Sequence, residues 1–72
     1  MTALPSPRLR LARLVRLRER VEPWRAYVDP ARIQLLDRCI VATMGDLEDA
    51  GLSGVEIGRL VQEARMSTEV NR

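Results

Sequence analysis

The sequence lacks histidine, lysine and phenylalanine, and its one cysteine is Cys39. Without histidine, the commonest general base is missing and a zinc site has no plausible set of ligands. Cys39 cannot form an internal disulfide, and no base is placed to activate it as a nucleophile. The sequence therefore predicts a protein that is not an enzyme, with no cofactor and no metal site, in which Cys39 fills a core or an interface.

Long hydrophobic runs are also missing. No apolar stretch approaches the roughly 18 residues that a bilayer-spanning helix needs, so no membrane span is expected. No secretory signal is recognisable, and a lone cysteine suits a reducing compartment, so the predicted localisation is cytoplasmic. All twelve cationic residues are arginine, and Ala, Val, Leu and Gly are common, a composition associated with GC-rich bacterial or phage genomes.

The chain has little room for a core. At 72 residues it can form one domain, and a domain of this size buries only about 60% of its unfolded surface. Small domains usually gain stability from disulfides, from a metal or from self-association. Because the sequence offers neither of the first two, we expect a homodimer.

The first helix is predicted from Ser6 and Pro7, an N-cap residue followed by proline where the missing N–H loses no hydrogen bond. A period of 3.6 follows, and Pro23 ends it. We expect a helix over 7–22. Its apolar side should comprise Leu11, Leu14, Val15, Leu17 and Val21, with Leu9 and Arg18 off the pattern.

The second helix begins with the same signal, Asp29 and Pro30, and Gly51 suits the left-handed position just after a helix end. We expect a helix over 30–50, forming an antiparallel hairpin with the first about residue 26. Its apolar residues are spaced by threes and fours, as in a coiled-coil seam. The predicted oligomer interface is this seam, comprising Ile33, Leu36, Ile40 and Leu47.

A third helix is predicted by a capping box, in which Ser53 and Glu56 satisfy each other's backbone N–H groups. It should span 54–66. The fold class is then all-α, a dimeric protein of three helices in which the hairpin of helices 1 and 2 is joined by a shorter third helix. The domain covers residues 7–66; residues 1–6 are expected to be a flexible tail and 67–72 a frayed C-terminus.

Charge is divided along the chain. The first 25 residues hold seven arginines and two acids, which gives this segment a charge of +5. Three acids, Asp46, Glu48 and Asp49, lie in the last turns of helix 2, where the helix dipole disfavours them. In the hairpin, Arg8 and Arg10 would face these acids, so the melting temperature should fall as salt is added.

Arg13, Arg16 and Arg20 occupy the side of helix 1 opposite its apolar residues. This face is either a binding surface or a solvated face on which the methylene groups of the arginine side chains cover apolar surface. Trp, Tyr and Arg are the residue types enriched at binding hot spots, although a lone Trp24 could equally fill the gap between helices 1 and 2. The predicted partner-binding residues are Arg13, Arg16, Arg20, Trp24, Arg25 and Tyr27.

These features favour a small non-catalytic protein–protein interaction module. It would be an adaptor, a chaperone or an inhibitor, encoded by a phage or plasmid, that occupies an acidic or apolar surface of another protein. The alternative is a small DNA- or RNA-binding transcriptional regulator that uses the arginine-rich helix to contact phosphates. Against this alternative stand the net charge of only +2 and the scarcity of aromatic residues for stacking on bases.

The C-terminal part of the sequence gives a second reason to consider nucleic-acid binding. Ser53-x-x-Glu56-Ile57-Gly58-Arg59, followed by Ser67-x-x-Val70-x-Arg72, resembles the helix-turn-helix of bacterial repressors. In that family the first stretch is the supporting helix and the second begins the recognition helix, which enters the major groove. The sequence departs from the family at the turn, where residues 62–65 replace the usual small residues. The resemblance implies a helix break before residue 67.

Overall fold

The computed structural model describes residues 6–70, with side chains through residue 66, and within this range the chain is helical with no strand. Three α-helices span Pro7–Val21 (α1), Pro30–Asp49 (α2) and Gly54–Val70 (α3), and a 3-10 segment spans Glu22–Tyr27. The predicted all-α fold is confirmed, and so is the packing of helices 1 and 2 together. Residues 1–5 of the predicted tail and residues 71–72 of the predicted frayed end lie outside the described part of the chain.

Two of the helices begin at the predicted caps. The Ser6 hydroxyl accepts a hydrogen bond from the Leu9 N–H at 3.3 Å, and the Asp29 carboxylate accepts one from the Ala31 N–H at 3.0 Å. Each cap thus satisfies a backbone donor that has no partner within the helix. Proline follows the cap in both helices, as the sequence indicated.

The turn between α2 and α3 follows equally local rules. Gly51 has a φ of +101°, a backbone conformation that favours glycine, and the Leu52 N–H returns to the Leu47 carbonyl at 3.0 Å. The capping box then starts α3. The Glu56 carboxylate accepts from the Ser53 N–H at 3.2 Å, and the Ser53 hydroxyl accepts from the Glu56 N–H at 3.2 Å.

The helix ends differ from prediction by one residue in α1 and α2 and by four residues in α3. Pro23 ends α1 at Val21, but the chain continues as a 3-10 helix, because proline removes the donor of the i→i−4 ladder while its fixed φ still suits a helical turn. At the other end, α3 continues to Val70, four residues beyond the predicted end at Met66. Neither proline nor glycine follows Met66 to interrupt it.

The first helix is the centre of the fold. It packs extensively against both α2 and α3, which contact each other over much less of their length. Burial is complete at Leu11, which has no exposed surface. The core cluster comprises Leu11 and Val15 from α1, Leu47 from α2, and Ile57 and Ala64 from α3.

The apolar seam of α2, predicted as an oligomer interface, is largely used within the chain. Leu47 is 2% exposed and Ile33 is 7% exposed, while Leu36 and Ile40 are half-buried. Little of this seam is therefore available to a second molecule. The homodimer stays a prediction, and any surface that serves it has to lie elsewhere.

Ion pairs fix how α1 and α2 face each other. Arg10 lies 3.2 Å from Asp46, as predicted, and Arg18 lies 3.0 Å from Asp37. These pairs centre the hairpin near Val28 rather than residue 26, because the 3-10 segment lengthens the connector. Arg18, which the apolar pattern left unexplained, thus reaches from α1 to α2, as Arg10 does.

Arg8 does not approach the acids of α2 as expected. It lies near α3, where its charge helps to hold the pKa of Glu56 below the ordinary value, after the larger effect of the hydrogen bonds from Ser53. Among the residues that the structure describes, Glu48 and Asp49 form no ion pair. The acids at the end of α2 are thus neutralised only in part.

Candidate functional site

Much of the apolar side-chain surface stays uncovered. Within the described residues, eight large apolar or aromatic side chains are exposed, against six apolar residues that are buried. Contiguous exposed apolar surface on a small protein usually marks an interaction site. The exposed set comprises Leu9, Leu17, Trp24, Tyr27, Leu35, Val41, Val55 and Met66.

Part of this set forms a groove between α1 and α2. The groove has a volume of about 530 Å³ and no residue of α3 in its lining. Leu17 enters it from α1 and Leu35 from α2, and both remain about half exposed. Arg32 is its one charged lining residue. We call this surface the apolar groove; its lining comprises Leu17, Val21, Val28, Arg32, Leu35, Leu36 and Cys39.

The two aromatic residues lie in the 3-10 segment between Val21 and Val28, which both line the groove. In a 3-10 helix, side chains at i and i+3 eclipse each other, so Trp24 and Tyr27 lie on the same side of the segment Glu22–Tyr27. The two rings confirm this placement, with centroids 6.5 Å apart and planes inclined at 56°. Trp24 is 62% exposed, so it does not fill the gap between the first two helices.

Unpaired arginines border the groove. Arg13 and Arg20 lie four residues before and three after Leu17, which makes them its neighbours on the surface of α1. Arg32 lies in the groove itself. In the part of the chain that the structure describes, none of these three guanidinium groups has a carboxylate partner. The groove therefore has an apolar floor and a cationic border.

Two other predicted binding residues are placed differently. Arg16 is half-buried, about 100° round the helix from Leu17, and its Nε is buried with no hydrogen-bond partner among the described residues. Arg25 pairs with Glu22 at 3.4 Å. Glu22 also accepts from Arg18 at 2.7 Å, and that bond is the main cause of its lowered pKa. Arg25 is thus paired within the chain, and Arg16 lies away from the groove without a partner among the described residues.

Sequence reasoning found the α2 side of the groove only in part: Leu36 was predicted as an interface residue, whereas Arg32 and Leu35 were not predicted as site residues. Cys39 is exposed, so the expectation that it fills the core of this chain is wrong. It lies four residues after Leu35, on the flank of the buried seam. This spacing could have indicated the groove from the sequence. Two apolar residues four positions apart, beside a seam that is already apolar, indicate a second apolar surface on the same helix.

The implied helix-turn-helix is also wrong. Helix α3 is continuous from Gly54 to Val70, with no turn at residues 62–65. The pattern that resembled a supporting helix and a turn is one uninterrupted amphipathic helix with a capping box. Arg72, which completed the resemblance, lies outside the described residues.

The described residues contain no group of three or more Cys, Asp or Glu that could hold a metal ion. Between residues 6 and 70, no helix has the length and apolar character to cross a membrane. In comparisons with known proteins, the chain matches no family model, and no curated protein or solved structure is similar enough to count as a match.

Proposed function

We propose that this protein is a small non-catalytic protein–protein interaction module that binds its partner in the apolar groove. It would act as an adaptor, a chaperone or an inhibitor by occupying a surface of the partner. The observation that carries the proposal is the groove itself, an apolar channel between two helices that is bordered by unpaired arginines, with Trp24 and Tyr27 exposed in the segment that joins the two helices.

The partner that fits this surface is an amphipathic helix whose apolar stripe is flanked by carboxylates. A groove between two helices accepts the ridge of a third, with apolar anchors at i, i+3 and i+4. The arginines at the border would meet carboxylates on both sides of that stripe, and a guanidinium can hold a carboxylate by two parallel hydrogen bonds. Arg13 and Arg20 would contact one side, and Arg32 the other.

The groove can supply a useful part of the binding energy. Leu17, Leu35 and Trp24 are each about half exposed. Covering the remaining surface of a large apolar side chain then gives about 1 kcal/mol apiece, half of the value for complete burial. The charged border would add steering and orientation more than affinity.

A matched pair of variants tests the proposal. The tagged protein is used to capture partners from a nuclease-treated extract of its host, alongside Leu35→Glu and the control Val55→Glu. Both substitutions place a carboxylate at a well-exposed apolar position, but Val55 lies on α3, outside the groove. We expect a partner that binds the wild type and Val55→Glu and that Leu35→Glu loses at least tenfold.

The same experiment can contradict the proposal. Equal capture by Leu35→Glu and Val55→Glu would mean that the groove is not the binding surface. The recovered partner also has to contain an acidic amphipathic helix. A synthetic peptide of that helix should compete with the whole partner, and a scrambled peptide of the same composition should not.

Nucleic acid is the second candidate, favoured by one observation. Arg13, Arg16 and Arg20 share one side of α1, and none has a carboxylate partner in the described part of the chain. Binding to a random-sequence duplex, measured over a range of salt, separates the candidates. A steep linear fall of log affinity with log salt indicates phosphate contacts, whereas no binding at low salt leaves the protein partner.

A further inference from the structure

A second surface lies on α2, on the side away from its buried seam. Residues spaced by threes and fours share one side of a helix, and here they form a line from Arg38 to Asp49. Val41 is 66% exposed at the middle of this line. We call this surface the outer face of α2; it comprises Arg38, Val41, Ala42, Gly45, Glu48 and Asp49.

Neither the backbone conformation of α2 nor a close neighbour within the chain requires glycine at position 45. Gly45 lies in the interior of a 20-residue helix, where glycine costs about 1 kcal/mol relative to alanine. Its φ is not positive, and no atom lies within 4 Å of the position that a Cβ would occupy. It lines a shallow hollow between α2 and α3, with Val41, Met44 and Glu48 on the α2 side and Gly54, Ile57 and Gly58 on the α3 side. A glycine here lowers the surface of α2 beside an exposed apolar side chain.

Charge is also divided along this face. Arg38 lies toward the N-terminal end, whereas Glu48 and Asp49 lie at the C-terminal end, where the helix dipole disfavours them. None of the three has an ion-pair partner among residues 6–66. Arg38 and Glu48 are ten residues apart, about 15 Å along the helix, so they cannot pair with each other in one chain.

We propose that a second copy of the chain packs on the outer face of α2, with the two α2 helices antiparallel about a two-fold axis. In this register Val41 of each copy sits over Gly45 of the other, and Arg38 of each copy meets Glu48 of the other. Position 43 is midway between Val41 and Gly45 and also midway between Arg38 and Glu48. Both pairs can therefore form about the same two-fold axis. A parallel pair would instead place Arg38 against Arg38.

This arrangement supplies what the single chain lacks. It covers Val41, gives Gly45 a close neighbour and brings a cation to the acids at the end of α2. Antiparallel helices also oppose their dipoles favourably. The interface does not use the buried seam that the sequence indicated, and it is independent of the apolar groove, in which neither Val41 nor Gly45 takes part.

Charge exchange tests the register. Sedimentation equilibrium of the full chain should show a dimer, and Arg38→Glu or Glu48→Arg alone should raise its dissociation constant about tenfold, because each change affects two symmetric pairs. The double variant Arg38→Glu/Glu48→Arg should return to within about threefold of the wild type. Arg13→Glu, a reversal of charge on α1, is the control and should leave dimerisation unchanged.

Steric blocking gives an independent test. Gly45→Leu should yield a folded monomer, because the space around Gly45 within the chain is open. Circular dichroism checks that the Gly45→Leu variant folds. If it does not fold, the double variant Arg38→Glu/Glu48→Arg is the test of the proposed dimer. A wild type that remains monomeric at about 1 mM overturns the proposal. So does a dimer that tolerates Gly45→Leu, or one that the double charge exchange fails to restore.

Discussion

Replacing Gly58 with alanine should stabilise this protein. Gly58 lies in the interior of α3, is exposed, and has no positive φ. No atom lies within 4 Å of the position that an alanine Cβ would take. The new methyl group would therefore meet no clash, while the unfolded chain would lose some of the conformational freedom that glycine gives it.

The expected gain is about 0.5–1 kcal/mol, the usual difference between alanine and glycine inside a helix. For a domain of this size, each kcal/mol raises the melting temperature by about 4–8 °C, so the variant should melt about 2–8 °C higher. Circular dichroism at 222 nm, recorded at low micromolar protein to limit self-association, measures the change. Urea unfolding should show a higher midpoint with an unchanged slope.

Gly51→Ala is the matched control. Gly51 also has open space around it, but its φ of +101° is a conformation that L side chains rarely adopt. The same methyl group should therefore destabilise the protein, by about 1–2 kcal/mol. If Gly58→Ala melts at or below the wild type, open space and helix propensity do not govern this site, and the same reasoning about Gly45 is also refuted.

Three further changes have defined outcomes. The pKa of Glu56 is held below its ordinary value, first by the hydrogen bond from the Ser53 N–H. Its contribution to stability is therefore present above the unfolded pKa and lost as pH falls through the lower folded pKa. Glu56→Gln should flatten this acid loss in a plot of melting temperature against pH; an unchanged acid limb would contradict it. Asp46→Asn removes the partly exposed pair with Arg10, so it should lower stability by at most about 1 kcal/mol at low salt, and the difference should vanish near 1 M NaCl. Arg16→Met keeps the apolar stem and removes an unpartnered buried Nε, so urea unfolding should show a change from zero to about 1 kcal/mol of stabilisation; a clear loss would mean that the guanidinium has a stabilising partner.

The helix starts were predictable because their causes are local. Each cap joins a side chain to a backbone N–H two or three residues away, so Ser6, Asp29 and the Ser53–Glu56 box could be identified without knowledge of the fold. The left-handed turn at Gly51 is local in the same way. The 3-10 segment was harder to predict, since it depends on whether the chain continues a helical path after Pro23.

The use of each apolar surface could not be predicted from spacing. The seam through Ile33 and Leu47 has the period of an oligomer interface, but the same period serves a helix packed within its own chain. The choice depends on where α1 lies. Arg18 shows the same limit: Glu22 is a neighbour four residues along the chain, but only the hairpin register brings Asp37 of α2 to Arg18.

The candidate site was predicted in part for the same reason. Trp24 and Tyr27 were identified from residue type and the absence of other aromatics, and both are exposed. The groove beside them is made by two helices at once. Leu17 was assigned to the apolar side of its helix and Cys39 to a core or interface, and neither pattern alone indicated that they would line one open channel.

The position of α1 has a consequence for how this protein comes apart. Because α2 and α3 rest mainly on α1 and little on each other, detaching α1 removes the common support of both. Partial opening that keeps the other two helices docked should then be rare, and native-state hydrogen exchange should give amides throughout the interior the same free energy of opening. A protease that nicks α1 near Leu11 would release the whole fold rather than trim an edge of it.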